Sequence, residues 1–193
     1  MGARCWTRQV REVADELCET GRYIAREEYV RAKNGAIADH YLGLYRWLTE
    51  GCRSRGLVDM PPDAEAPIWQ ALTRAQRLPE APGCVTLELE VPAASLFVLD
   101  YDRWGYRVNN WYVPVDREDE AAHDAELERF GIANEALLAQ GPQGDYYPQL
   151  RAQLVRSWER IFEGPNADAD KNVGVVWEIR RDWVKGVSGH DGA

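Results

Sequence analysis

A glutamate stands inside an otherwise apolar segment near the end of the chain. Glu178 interrupts VGVVWEIRRDWVKGV at residues 173–187, a valine-rich segment that predicts a strand. A reaction that cleaves a glycosidic bond develops positive charge on a sugar carbon, so it needs a fixed carboxylate and an aromatic wall for the leaving ring. A carboxylate on a partly closed strand face is costly unless it is paired or used, which makes Glu178 the catalytic candidate. The alternatives are a glutamate that faces water or one paired with Arg180 or Arg181.

An aromatic and polar segment, LDYDRWGYRVNNWYVPVD at residues 99–116, is the second candidate for chemistry. Its spacing predicts a helix that begins after Asp100, with the Asp100 side chain as the N-cap. That helix would carry one buried stripe of large side chains: Tyr101, Trp104, Val108 and Trp111. Most of the aromatic residues are then core, and Arg103 and Asn110 on the polar side are the candidates for substrate binding.

Metal-binding patterns are weak in this sequence. NADADKN at residues 166–172 has alternating carboxylates, but a calcium loop requires glycine where Lys171 stands. The three histidines are widely separated: His40, His123 and His190. Zinc-hydrolase, α/β-hydrolase and P-loop motifs do not occur either. No metal is therefore expected.

The elements that must position these residues alternate irregularly between helix and strand. Strands are predicted at residues 4–8, 84–91 and 173–187, and helices at about 10–19, 36–54, 117–130 and 148–162. Residues 66–72 fit either a short strand or the start of a helix. Because strands and helices do not alternate regularly as in βαβ units, the sequence predicts an α+β fold with a small mixed or antiparallel sheet flanked by helices. We expect a single domain over residues 1–187 and a flexible tail at 188–193.

The sequence predicts a cytoplasmic protein. Hydrophobic residues make up 45% of the chain and charged residues 28%, as in ordinary globular proteins. The N-terminus lacks the apolar region of a signal peptide, and no segment is long and apolar enough to span a membrane, so no membrane association is expected. The four cysteines are widely spaced, which favours reduced thiols.

The negative charge is concentrated in one segment. Residues 116–128, DREDEAAHDAELE, carry −6 and leave −3 of the total −9 for the rest of the chain. The total argues against non-specific binding to nucleic acid, although the remainder leaves room for a modest basic patch. If an acidic helix here has a protein partner, that partner is expected to be basic.

An ordered set of motifs resembles an uncharacterised bacterial family, domain of unknown function 3841. These motifs span nearly the whole chain: CWTRQ, ETGRY, YRWLTEGCRSR, APIW, LDYDRWGYRVNNWY, RSWERIF and VVWEIRRDWVKGV. That resemblance implies no catalytic residue.

More distantly, the order of the parts resembles the ADP-ribosyltransferase superfamily. This resemblance implies that Trp6, Thr7 and Gln9 contact NAD, with Thr7 standing where the superfamily has His or Arg. It also implies that Trp69 stacks on the nicotinamide. Glu178 takes the place of the glutamate that binds the nicotinamide ribose and stabilises the oxocarbenium-like state.

The leading hypothesis is therefore a small cytosolic enzyme of the ADP-ribosyltransferase type, a transferase or a glycohydrolase, with NAD or a related nucleotide as substrate and an unknown acceptor. One alternative is a non-catalytic module that binds a small ligand or a nucleotide. Another is an interaction protein that docks on a basic partner through the acidic helix at residues 116–128.

Overall fold

The computed structural model describes residues 2–189 and confirms the α+β class. Its strands are β1 (Gly2–Val10), β2 (Arg22–Tyr23), β3 (Ile68–Gln70), β4 (Cys84–Pro92), β5 (Phe97–Asp100), β6 (Asn172–Val176), β7 (Ile179–Arg180) and β8 (Val184–Gly189). Its α-helices are α1 (Arg11–Thr20), α2 (Glu27–Asn34), α3 (Ala38–Arg55), α4 (Tyr101–Val108), α5 (Arg117–Arg129), α6 (Ala136–Gln140), α7 (Gln143–Tyr146) and α8 (Pro148–Ser157).

The chain divides into two compact units. The first contains residues 2–98 and 168–189 of the described chain, and the second contains residues 99–167. The single domain predicted for residues 1–187 stays a prediction. Of the predicted tail, Ser188 and Gly189 belong to β8, whereas residues 190–193, including His190, lie outside the described residues.

The first unit contains an antiparallel sheet in the order β1-β4-β8. The predicted alternation in β4 is confirmed, because four apolar side chains are buried in the core: Val85, Leu87, Leu89 and Val91. Helix α1 packs on this core through Val13 and Leu17. It ends at Gly21, whose φ of 81° is a left-handed conformation that glycine adopts without steric cost.

A second sheet in the first unit has the order β3-β6-β5. It resolves the two alternatives for residues 66–72, because β3 pairs antiparallel with β6 in the register Trp69↔Val175. The last two residues of β5 begin the second unit. Helices α2 and α3 pack on each other, and Val30 and Leu42 form a buried cluster with Ala66 of the loop that follows α3.

The continuous strand predicted for residues 173–187 is wrong. The chain leaves β6 after Val176, bends at Trp177 and Glu178, and forms β7, a short 3-10 turn and β8. The bend has a physical cause, because the buried Trp177 indole donates to the Thr49 hydroxyl of α3 at 2.8 Å. The chain then pairs with β2 through β7 and no longer continues the second sheet. Glu178 therefore lies between the bend at Trp177 and the start of β7.

The second unit is helical and begins with α4. The predicted N-cap is confirmed, because Asp100 Oδ1 accepts from the backbone N–H groups of Asp102 and Arg103 at 2.9 and 3.3 Å. The predicted buried stripe is wrong: Trp104 is buried, but Tyr101 and Trp111 are 59% and 44% exposed. For Trp111 the reason is that α4 ends at Val108, so the helical spacing does not reach this residue.

The acidic segment forms α5, as predicted, and Asp116 caps it through bonds from the N–H groups of Glu118 and Asp119. The helix predicted for residues 148–162 is α8 followed by a 3-10 segment, Trp158–Glu163. No helix within residues 2–189 combines the length and apolar character needed to cross a lipid bilayer.

Candidate functional site

Glu178 lies in the wall of a cleft of about 460 Å³ in the first unit. The other residues of the wall come from the end of α3, the loop that follows it and the turn before β5: Arg53, Val58, Asp59, Met60, Pro61 and Ser95. The wall thus combines two carboxylates, a guanidinium and a hydroxyl with a short apolar side. Such a surface is suited to a ligand that carries hydroxyl or anionic groups.

Backbone pairing fixes the position of Glu178. In the β2–β7 pair, Arg22 lies opposite Arg180, and the N–H of Arg181 donates to the carbonyl of Gly21 at 3.0 Å. On the other side of Glu178, the buried Trp177 indole is bonded to Thr49. A residue held from both sides has little backbone freedom, as a catalytic carboxylate requires.

The Glu178 carboxylate is paired with Arg22. Arg22 Nε donates to Glu178 Oε2 at 2.5 Å, and the Glu178 side chain is 18% exposed. The other end of the guanidinium holds Asp63, with Nη1–Oδ2 at 3.1 Å and Nη2–Oδ1 at 2.9 Å. The hydrogen bonds that Arg22 donates to the Asp63 and Glu178 carboxylates raise the pKa of Arg22, so the guanidinium stays charged.

The two arginines closest to Glu178 in sequence have other partners. Arg180 Nε donates to Asp182 at 3.2 Å, and Arg181 Nη1 donates to the carbonyl of Cys18 at 2.8 Å. Both alternatives open from the sequence are therefore wrong: Glu178 does not face water, and its partner is neither Arg180 nor Arg181 but Arg22, 156 residues away in the chain.

Arg53 is the cation of the cleft wall. Its side chain is 41% exposed, its Nη1 lies 3.6 Å from the Glu50 carboxylate, and its Nη2 donates to the carbonyl of Ala64 at 3.4 Å. These bonds are long, so the guanidinium is oriented but remains accessible. It could bind an anionic group of a ligand in the cleft that Glu178 also lines.

Comparison with known proteins identifies the family. A family model described as Domain of unknown function (DUF3841) matches residues 4–185. The chain belongs to the DUF3841 family. No curated protein and no solved structure matches it. The cleft residues all lie inside the DUF3841 match, whereas the resemblance to ADP-ribosyltransferases stays a prediction.

The other residues predicted to contact NAD lie elsewhere in the first unit of the DUF3841 chain. Gln9 Nε2 donates to Thr7 Oγ1 at 2.8 Å on β1, so these two side chains meet. The backbone of Trp6 bridges to Ala71, and the ring of Trp69 lies 6.3 Å from that of Tyr45. None of these four predicted residues is in the wall of the cleft. Their roles in binding remain predictions.

Trp6 has an unusual polar atom. Its side chain is 6% exposed, and the indole Nε1 has no hydrogen-bond partner within residues 2–189. A buried N–H without an acceptor is costly, so this donor is available to an acceptor that reaches it.

Arg103 and Asn110, the predicted substrate-binding residues, lie in the second unit of the DUF3841 chain. Arg103 Nη1 donates to the carbonyl of Arg160 at 2.6 Å and to Glu163 at 3.1 Å. Asn110 has a φ of 57°, is 7% exposed and accepts a bond from Arg107 at 2.9 Å. Both side chains thus make bonds that stabilise the second unit itself.

The second unit also contains a buried histidine. His123 is 3% exposed, its Nε2 lies 2.7 Å from a Glu135 oxygen, and its ring stacks on Tyr112 at 4.1 Å. This arrangement anchors α5 to the segment before α6. Across residues 2–189, no three His, Cys, Asp or Glu side chains are grouped as ligands for a metal ion.

Sequence reasoning missed Arg22, Arg53, Asp59 and Ser95. Arg22 directly follows Gly21, the predicted stop of α1, but a two-residue strand has no periodicity that could reveal it. Arg53 lies in the last turn of α3, where a basic side chain is expected for the helix dipole alone. Neither position carries a local sign of a cleft.

Proposed function

We propose that the chain is an enzyme of the ADP-ribosyltransferase type that binds NAD or a related nucleotide in the Glu178 cleft. The observation that carries this proposal is the mostly buried Glu178 carboxylate in the wall of a polar cleft, which Arg22 holds through a hydrogen bond of 2.5 Å. A carboxylate that is fixed before the substrate binds needs no reorganisation as positive charge develops on the ribose. Nicotinamide then leaves, and the acceptor is either water or an unidentified nucleophile.

Each type of side chain in the cleft suits one part of such a substrate. The Glu178 carboxylate accepts hydrogen bonds from ribose hydroxyls, and Arg53 pairs with a phosphate. The apolar part of the wall, formed by Val58, Met60 and Pro61, is available to a ring. This assignment gives the ring an aliphatic wall, whereas the resemblance gives that role to Trp69. The proposal retains a cytoplasmic location, the compartment in which NAD and reduced thiols coexist.

Nicotinamide release from NAD by the purified full chain tests the proposal. Glu178→Gln keeps the size and polarity of the side chain but removes its charge, so we expect at least about a hundredfold loss of rate. Binding should persist, as measured by the rise in melting temperature at millimolar NAD. Glu80→Gln, in an exposed loop position, is the matched control and should retain the wild-type rate.

Two results would refute this proposal. One is a wild-type chain that neither releases nicotinamide nor gains thermal stability with NAD. The other is a Glu178→Gln variant that is as active as the Glu80→Gln control.

A second candidate function is docking on a basic protein through α5. Several of its acidic side chains already form hydrogen bonds within the second unit: Asp119 accepts from Arg160, and Glu120 accepts from the Tyr106 hydroxyl. Four acids in residues 116–128 remain exposed: Asp116, Glu118, Asp124 and Glu128. We expect such a complex to weaken steeply with salt. Neutralising Asp124 and Glu128 together should release the partner without changing NAD turnover, and unchanged partner binding would exclude this function.

A further inference from the structure

Asp63 binds to Arg22 in the way that a phosphate group would. Its two carboxylate oxygens accept from Nη1 and Nη2 of one guanidinium, at 3.1 and 2.9 Å. Paired donors of arginine recognise carboxylate and phosphate through the same two parallel hydrogen bonds. The Nε of Arg22 is used separately, by Glu178. The guanidinium of Arg22 therefore binds the cleft carboxylate through Nε and a second carboxylate, that of Asp63, through Nη1 and Nη2, where another anion could replace it.

The Asp63 contact is the weaker of the two. The Asp63 side chain is 58% exposed and that of Glu178 is 18% exposed, while Arg22 is 38% exposed. An ion pair in water contributes little to stability, and its carboxylate is fully rehydrated when it leaves. A competing anion would therefore displace Asp63 and leave the Glu178 pair in place.

Asp63 also connects this anion site to the cleft. The loop of residues 56–67 carries Asp63, and its residues 58–61 line the cleft. The loop is held at its start by the N–H of Asp59, which donates to the carbonyl of Ala94 at 2.6 Å. Displacing Asp63 would free the middle of this loop from Arg22, while the end of the loop stays held by Glu65, which accepts from the N–H of Glu27 at 3.0 Å.

We propose that Arg22 is a phosphate-binding residue whose anion site is occupied by Asp63 in the free protein, so that a phosphate-bearing ligand displaces Asp63 and loosens the 56–67 loop. The inference rests on the proposed function, because it assumes that the cleft ligand is a nucleotide. It adds the position of a phosphate beside the catalytic carboxylate and an internal competitor for that position. The competitor keeps the guanidinium ordered before the ligand arrives.

Inorganic pyrophosphate is the probe, measured by isothermal titration calorimetry at low salt. Asp63→Asn removes the competing charge, so we expect pyrophosphate to bind about two- to fivefold tighter than to the wild type, the range of an exposed ion pair. Arg22→Gln should abolish binding, and Arg22→Lys should weaken it because a point charge lacks the paired donors. Melting curves establish that each variant is folded.

Asp39→Asn is the matched control. Asp39 forms an exposed pair with Arg31 at 2.7 Å in the same unit, and its substitution changes the net charge by the same amount. Pyrophosphate should bind to Asp39→Asn as it binds to the wild type. Equal tightening in Asp63→Asn and Asp39→Asn would overturn the inference, since a general charge effect would then explain both.

Hydrogen exchange of the backbone amides in residues 56–67 distinguishes displacement of Asp63 from phosphate binding alone, because only displacement is expected to change the exchange rate of this loop. We expect exchange there to accelerate with pyrophosphate in the wild type and to be fast without ligand in Asp63→Asn. Slower exchange on binding would overturn the inference. If NAD is not cleaved but pyrophosphate behaves as expected, only the proposed function fails. If NAD is cleaved but Asp63→Asn binds no tighter than the control, only this inference fails.

Discussion

The hydrogen bond between Trp177 and Thr49 holds the bend that presents Glu178. Both side chains are buried, at 2% and 4% exposure, and the bond from Nε1 to Oγ1 is 2.8 Å long. Thr49→Val replaces the hydroxyl with a methyl group of nearly equal volume, so it opens no cavity. It removes the acceptor and leaves the indole N–H buried without a partner.

The cost of Thr49→Val is set by that unsatisfied donor. A buried polar group that loses its partner costs about 1–3 kcal/mol. For a chain of this size, that loss lowers the melting temperature by about 2 to 12 °C. Helix propensity contributes little, because threonine and valine have similar values.

Urea unfolding of a double-mutant cycle measures this cost. Trp177→Phe removes the donor itself, so in that background Thr49→Val should cost less than about 0.5 kcal/mol. The coupling between the two sites should then be about 1 kcal/mol or more. An equal cost of Thr49→Val in both backgrounds would show that the bond does not hold the bend, and the reasoning would be wrong.

Two further predictions concern the glycines and pH. Gly144→Ala should lower the free energy of unfolding by about 3 kcal/mol or more, because the added Cβ would lie 2.1 Å from the Leu138 carbonyl oxygen. Gly43→Ala in the middle of α3 should raise it by about 0.5–1 kcal/mol, because the added Cβ meets no atom within 4 Å. Urea unfolding measures both changes. The backbone N–H of Val115, with side-chain donors, lowers the pKa of Asp119 from 3.8. The contribution of the Asp119 carboxylate to stability is therefore present above pH 3.8 and is lost as the pH falls through the lower pKa of the folded state. The difference in free energy of unfolding between the wild type and Asp119→Asn should shrink as the solution is acidified. A difference that stays constant would contradict this.

Elements specified by neighbouring residues could be predicted from the sequence. The alternation of Val85, Leu87 and Leu89 is sufficient for β4, since a strand with one buried face needs no other information. Gly21 and Asp100 likewise marked the end of α1 and the start of α4, because their roles depend on local backbone geometry.

Features that depend on distant residues could not be predicted. The segment around Trp177 has the alternation of a strand, and the bend is imposed by Thr49, which is 128 residues away. Similarly, the spacing of Trp104 and Trp111 predicted one helical face, but α4 stops before Trp111. Periodicity assumes that an element continues, and it carries no sign of a contact that interrupts it.

Arg22 could not be predicted from the sequence for the same reason, because its partner Glu178 is 156 residues away. A single guanidinium is shared by two carboxylates, so an incoming anion must compete with one of them. Glu178 is mostly buried and would be costly to leave unpaired, whereas Asp63 is mostly exposed and returns to water. Burial thus separates the two acids of the site. In the proposed function Glu178 stays fixed for chemistry on the ribose, and in the proposed phosphate site Asp63 yields its position to the ligand.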